Sequence, residues 1–146
     1  MPIVPGDYQV YLGKWMPDSA PLCAAIGSAQ QWSQVLHPAP VMFGKKPFAP
    51  PADFWRDHAV LLIGRVVFGA GDTSRIFQLA RVSRSTQAIT VSVRFAPPQP
   101  SSYQMVSFVA ARVRKPLPKH VVFVESGTQV CTLDPGSGNW LEPSAP

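Results

Sequence analysis

The residues that could support metal or nucleophilic chemistry are few and widely spaced. The three histidines are His37, His58 and His120, and the two cysteines are Cys23 and Cys131. A zinc site needs Cys and His ligands two to five positions apart, and none of these residues has such a neighbour. The sequence therefore predicts neither a metal centre nor a bound cofactor.

A catalytic nucleophile needs a base and an orienting group beside it, and no pattern supplies them. The Gly-x-Ser-x-Gly elbow is absent, and the eight acidic residues form no paired pattern. Gly69-Ala70-Gly71 lacks the third glycine and the helix start of a dinucleotide-binding loop, which favours a hairpin turn. We predict a non-enzyme. The alternative is an enzyme in which folding brings His58 or His120 next to an Asp or Cys.

The charge of the chain permits nucleic-acid binding without requiring it. The net charge is +5, with eight Arg and five Lys, yet only 14% of residues are charged, against ~25% typically. Three arginines lie near phenylalanines, as single-strand binders require: Arg65 and Phe68, Arg75 and Phe77, Arg94 and Phe95. The alternative is that these phenylalanines are core residues on strands. A surface with so little charge must use other polar residues or be partly covered by a partner.

The cysteines leave two alternatives open. A Cys23–Cys131 disulfide would close a loop of roughly a hundred residues and add ~4–5 kcal/mol in the chain-entropy model. Two separate buried thiols are the other possibility. No run approaches 18 apolar residues, so no membrane span is predicted. The start of the chain lacks a signal peptide, which indicates either a cytoplasmic protein or a sequence from which a leader was removed.

Hydrophobic patterning predicts one short helix and many short strands. Ser28 to Leu36 has a capping box followed by one apolar helical face. His58 to Phe68 is apolar enough for a central strand buried on both faces, and Ala88 to Phe95 alternates as a half-buried strand. The remaining predicted strands are Tyr8 to Leu12, Leu22 to Ile26, Arg75 to Val82, Gln104 to Val113, His120 to Glu125 and Gln129 to Leu133.

These elements predict a mainly β fold in one domain. Because helices and strands do not alternate, we expect a largely antiparallel β-sandwich or partly open barrel of about seven or eight strands. The single domain should cover residues 1–146, with a β core over 53–125 and a loose Gly/Ser/Pro tail over 134–146. Pro97 to Pro100 should form a stiff break between strands.

The segment from Asp53 to about Val124 resembles the C-terminal domain of PrcB, an accessory subunit of a bacterial surface protease complex. Asp53-Phe54 precedes a hydrophobic strand, a Gly-containing turn spans Gly69 to Thr73, and Pro97-Pro98 follows an alternating strand. The resemblance implies a periplasmic or secreted protein that binds a protein partner, with a protease as the implied partner. The family turn usually reads Thr-Gly-Gly-Tyr, whereas Ser74 follows Thr73 here, which implies a changed contact if that turn meets the partner.

The sequence thus predicts a non-catalytic protein-interaction module. The β scaffold would present a turn and a proline loop to the partner, through Gly69, Gly71, Asp72, Thr73, Pro98 and Pro100. A basic single-stranded nucleic-acid binder is the alternative, and an enzyme with an unrecognised site is the second alternative.

Overall fold

A computed structural model describes residues 8–10, 21–38, 49–70 and 75–142. It has a mainly β architecture with two short helices. The elements are β1 (Tyr8–Val10), β2 (Leu22–Ile26), α1 (Ala29–Val35), β3 (Leu36–Pro38), α2 (Phe54–Asp57), β4 (His58–Ala70), β5 (Phe77–Arg84), β6 (Ala88–Phe95), β7 (Gln99–Arg114), β8 (His120–Glu125), β9 (Thr128–Leu133) and β10 (Leu141–Glu142).

Two four-stranded sheets form a sandwich, which confirms the predicted fold class. We call the sheet in the order β10-β2-β4-β7 the inner sheet and the sheet in the order β5-β6-β8-β9 the outer sheet. β1 and β3 form a separate antiparallel pair. Neighbouring strands of both sheets are antiparallel except β6 and β8, which are parallel. The parallel pair arises because the intervening β7 crosses to the inner sheet, so the chain returns to the outer sheet from the same end.

β4 is buried on both faces, as the sequence predicts. Leu61 and Ile63 face the outer sheet and belong to the core between the sheets. Val60 and Leu62 face the other way and pack with Trp32 of α1. The inner sheet therefore lies between the outer sheet and the helices, and its central strand has a continuous apolar sequence because both faces need apolar side chains.

The predicted alternation of β6 is also confirmed. Ile89, Val91 and Val93 are buried between the sheets, while Thr90 and Ser92 occupy the opposite face. β6 therefore has one face packed on the core and one face that carries polar side chains.

The helix α1 begins at the predicted Ser28 cap, but the Gln31 side chain reaches back to the Gly27 amide and not to the Ser28 amide of a standard capping box. The Ser28 hydroxyl accepts a hydrogen bond from the Gln31 amide (3.1 Å), and the Gln31 side chain accepts one from the Gly27 amide (2.7 Å). Trp32 and Val35 are the buried residues of this helix. The side-chain cap fixes where the helix starts, and the two apolar residues fix which face it turns to the inner sheet.

The two sheets are joined covalently. Cys23 of β2 and Cys131 of β9 form a disulfide with a sequence separation of 108. The pairing is consistent with the packing, because Cys23 is buried and faces the outer sheet. Of the two alternatives for the cysteines, the structure has the linked one.

Several element boundaries differ from the prediction. β5 starts at Phe77 rather than Arg75, and β7 starts at Gln99, so Pro100 lies inside a strand rather than in a break. Proline is tolerated there because β7 is an edge strand, where a missing amide donor need not interrupt a ladder. Residues 134–142, expected in a loose tail, include a 3-10 turn and β10. None of the helices in the described part of the chain is long and apolar enough to cross a membrane.

Two leucines provide a matched test of the packing. We expect Leu62→Ala to lower the free energy of unfolding by about 2–5 kcal/mol, because its side chain is fully buried in β4. Leu79→Ala, in which the side chain is 43% exposed, should cost below about 1 kcal/mol. Urea unfolding measures both, and equal losses would contradict the double-sided burial of β4.

Candidate interaction surface

One end of the sandwich exposes apolar side chains around the end of β4. We define the rim as Phe68, Gly69, Pro97, Pro98 and Pro100. Phe68 is 51% exposed, the highest value among the exposed large hydrophobic residues of the described chain. Pro97 and Pro100 are exposed as well, and Pro98 is half-buried. Such a cluster is unusual at a strand end because Phe is normally buried.

The rim arises where the ladder between β4 and β7 becomes irregular. Phe68 pairs with Gln104, but Ala70, two residues later, pairs with Gln99. β7 thus has extra residues opposite Gly69, and such a bulge bends the strand and redirects its side chains. The preceding segment is anchored to the outer sheet, because the Ala96 amide donates to the Ile76 carbonyl (2.8 Å).

Gly69 and Pro98 are in direct contact. A Cβ atom on Gly69 would lie 2.1 Å from Cγ of Pro98 and 2.6 Å from its Cβ. Those distances are far inside van der Waals contact, so only glycine allows the proline ring to lie on the backbone of β4. The sequence prediction placed both residues in one partner-binding site, and the structure brings them together.

The other predicted contact residues have different positions. Pro100 is exposed and is the second residue of β7. It follows Gln99, which pairs with Ala70, the residue after Gly69. Gly71, Asp72 and Thr73 lie outside the described residues. Phe68 was predicted as a strand residue with a core role, and its exposure is a correction. Phe68 lies beyond the part of this face of β4 that belongs to the buried cluster, which includes Val60, Leu62 and Val66.

An ion pair joins the two sheets close to the rim, at Arg65, three residues before Phe68 on β4. Arg65 of β4 donates two hydrogen bonds to Glu125 at the end of β8, from Nε to Oε2 (2.9 Å) and from a terminal nitrogen to Oε1 (2.8 Å). Its guanidinium carbon also lies 5.1 Å from the ring centre of Phe95. The side chains of Arg65 and Glu125 are only 21% and 11% exposed, so water screens the pair weakly. Bidentate geometry offsets the loss of hydration and fixes the end of β4 relative to the outer sheet.

The arginine and phenylalanine pairs do not form a row of stacking platforms. Phe77 is buried in the core between the sheets, and Phe95 packs against that core with its ring 5.0 Å from Phe77. Arg65 is held by Glu125. These two phenylalanines thus have the core role that was the alternative to base stacking, and Phe68 is the exposed ring of the three pairs.

The described histidine and cysteine side chains that could carry chemistry have other contacts or are buried. The imidazole of His58 stacks on Phe54, with ring centres 5.1 Å apart, and Cys131 is in the disulfide. Nδ1 of His120 and Nε1 of Trp55 are buried without a hydrogen-bond partner. In the described ranges, no group of three His, Cys, Asp or Glu side chains is arranged to hold a metal ion.

Basic side chains at the opposite end serve the fold. Nζ of Lys115 donates to the carbonyls of Gly27 (2.8 Å) and Trp55 (2.6 Å), which joins the starts of α1 and α2. The guanidinium of Arg84 donates to the carbonyls of Arg114 (2.7 Å) and Pro116. Part of the positive charge is therefore used to satisfy backbone carbonyls at chain turns.

Comparisons with protein-family models, with curated proteins and with solved structures find no match to this chain. The resemblance to the PrcB domain therefore remains a prediction.

Gly69 provides a test of how the rim is built. We expect Gly69→Ala to destabilise the fold by about 1–3 kcal/mol, because the added methyl group collides with Pro98. Gly136→Ala is the matched control, since nothing lies within 4 Å of a Cβ there. Pro98→Gly should recover part of the loss in the Gly69→Ala background. Thermal unfolding of these three variants beside the unmodified protein measures this, and no recovery in the double variant would contradict the contact.

Proposed function

We propose that this protein is a non-catalytic protein-interaction module that meets its partner through the rim. The observation that carries the proposal is the exposure of Phe68, 51% of whose surface is accessible, among prolines at one end of a braced sandwich. An aromatic side chain in the centre of a small apolar patch is the typical anchor of a protein interface.

The construction of the rim suits such an anchor. The Pro98 ring rests on the backbone of Gly69, and the ion pair of Arg65 and Glu125 holds the same end of β4. Rigid surfaces lose little conformational entropy on binding, so more of the contact energy is left for affinity. The low charge of the chain, 14% of residues, also leaves little repulsion or desolvation to oppose an apolar contact.

The partner that we propose is a protease complex of the cell envelope, as the resemblance to PrcB implies. The disulfide between Cys23 and Cys131 supports a periplasmic or secreted location, because structural disulfides persist in oxidising compartments.

Binding to single-stranded nucleic acid is the second candidate. Its support is the net charge of +5 together with the exposed Arg81 and Arg94 of the outer sheet. Such binding would weaken steeply as salt is raised, whereas contact through Phe68 would be nearly independent of salt.

Site-specific cross-linking separates the two candidates. We expect benzoylphenylalanine at position 68 to give a discrete adduct in source cells, and the same group at Thr132, exposed on β9, to give none. A protease-sensitive, nuclease-resistant adduct supports the proposal. A nuclease-sensitive adduct would transfer the function to nucleic-acid binding, and equal or absent cross-linking at both positions would refute a contact through the rim.

The proposed location has its own test. If the protein works in the cell envelope, cysteines exposed to a maleimide reagent in denaturant at the moment of lysis should remain unlabelled until a reductant is added, because unfolding makes the buried Cys23 accessible and only the disulfide then protects it. The readout is the gel shift of the full chain with and without reduction. Labelling of both cysteines without reduction would place the protein in a reducing compartment.

A further inference from the structure

We infer that the exposed edge of β7 is a strand-addition site for an extended peptide segment in which acidic and apolar residues alternate. This inference goes beyond the proposed function: it concerns the opposite half of β7 from the rim, names a partner chemistry and does not depend on Phe68.

One edge of β7 has no partner strand among the described residues. β7 is the last strand of the inner sheet, and β4 is its neighbour there. The Lys115 amide donates to Asp57, so odd-numbered backbone groups in this part of β7 point towards β4. The Arg114 carbonyl instead accepts from the Arg84 side chain, so even-numbered groups point away. By this parity, the amide and carbonyl groups of Ala110 and Arg112 face outward.

No described strand pairs with these outward groups. Arg112 is exposed and Ala110 is half-buried, and the hydrogen bonds of the described residues leave both backbone edges unused. An unpaired edge of this kind is a template for another strand, and peptide recognition domains use it to capture extended segments.

Two exposed apolar residues of β5, Leu79 and Val82, lie beside this edge, and we call them the ledge. Leu79 and Val82 of β5 pair with Val93 and Val91 of β6, so they share the face that looks towards the inner sheet. They nevertheless remain 43% and 39% exposed, because the inner sheet stops at β7 and leaves this strip uncovered. A strand added to β7 would cover the ledge with the side chains on one of its faces.

The arginines of β7 determine which side chains an added strand should carry. Arg112 and Arg114 are exposed on the opposite face of β7, where their cross-strand partners are Val60 and His58. None of β5, β6 and β7 contains an acidic residue. The side chains of an added strand that lie beside Arg112 and Arg114 should therefore be acidic, and those between them should be apolar to meet Leu79 and Val82.

Self-association does not fit the same surface as well. Pairing two copies through β7 would bring Arg112 and Arg114 close to their own equivalents, and like charges across a ladder are unfavourable. Arginines on an edge strand commonly serve only to prevent such pairing. The ledge of Leu79 and Val82 goes beyond that protective role, because exposed leucine and valine beside an edge would promote association unless a partner covers them.

The probe is a capped peptide of alternating Glu and Val, tested against this protein at low and physiological salt. A Lys and Val peptide is the charge control. The Glu and Val peptide with N-methyl groups on alternate amides, made in both registers, is the ladder control. We expect binding of the acidic peptide, no binding of the basic one, and loss of binding in one methylated register.

Protein variants give the matched comparison. Arg112→Glu should weaken binding of the acidic peptide about tenfold or more, because an attractive cross-strand pair becomes repulsive. Arg94→Glu makes the same charge change on the polar face of the outer sheet and should leave the affinity nearly unchanged. Phe68→Ala should also leave it unchanged, so that failure of the rim and failure of the edge are distinguishable.

Hydrogen exchange gives the direct readout on the unmodified chain. The amides of Ala110 and Arg112 should become protected when the acidic peptide is added. The inference is overturned by equal binding of the acidic and basic peptides, by equal effects of Arg94→Glu and Arg112→Glu, or by binding without protection of these amides. Absence of any binding overturns it too, and a concentration-dependent dimer that protects the same amides would assign the edge to a second copy.

Discussion

The burial of β4 on both faces is the constraint on which the rest of this structure depends. A strand with apolar side chains on both sides needs a cover on each side, and the chain supplies the outer sheet for one and α1 with α2 for the other. The disulfide and the pair of Arg65 and Glu125 each join the inner sheet to the outer sheet. The two helices are short, and each contributes a large side chain, Trp32 or Trp55, to the apolar cluster on this face.

Both proposed surfaces lie where that cover ends. Val66 and Phe68 are on the same face of β4, two residues apart, yet Val66 is buried and Phe68 is half exposed. The apolar cluster on the helix side of the inner sheet includes Val66 and does not include Phe68. In the other direction the inner sheet ends at β7 while β5 of the outer sheet extends past it, which exposes Leu79 and Val82. Both proposed surfaces are therefore products of incomplete cover of an apolar face.

This distinction also explains what the sequence could and could not predict. The period-2 alternation of β6, the Ser28 cap of α1 and the apolar run of β4 are local signals, and each element formed where it was predicted. Periodicity indicates which residues share a face, but not how far the opposite layer extends, so the exposure of Phe68 was missed.

The parallel pairing of β6 with β8 was missed for a related reason, because it depends on β7 joining a different sheet. Gly69 and Pro98 were placed in one site from turn composition, and their contact depends on the bulge between β4 and β7, which no local pattern indicated.

The arginines show how similar residues acquire different roles through position. Arg65 faces the inside of the sandwich and meets a carboxylate, and Arg84 reaches two carbonyls at the end of β7. Arg112 lies on an edge whose neighbouring strands carry no acidic residue, so its charge has no opposite partner on β5, β6 or β7. A charge on a strand edge raises the cost of pairing with a like copy and lowers the cost of pairing with an acidic strand. The same residue can therefore protect the monomer and select the partner, because both effects follow from the sign of the charge that approaches the ladder.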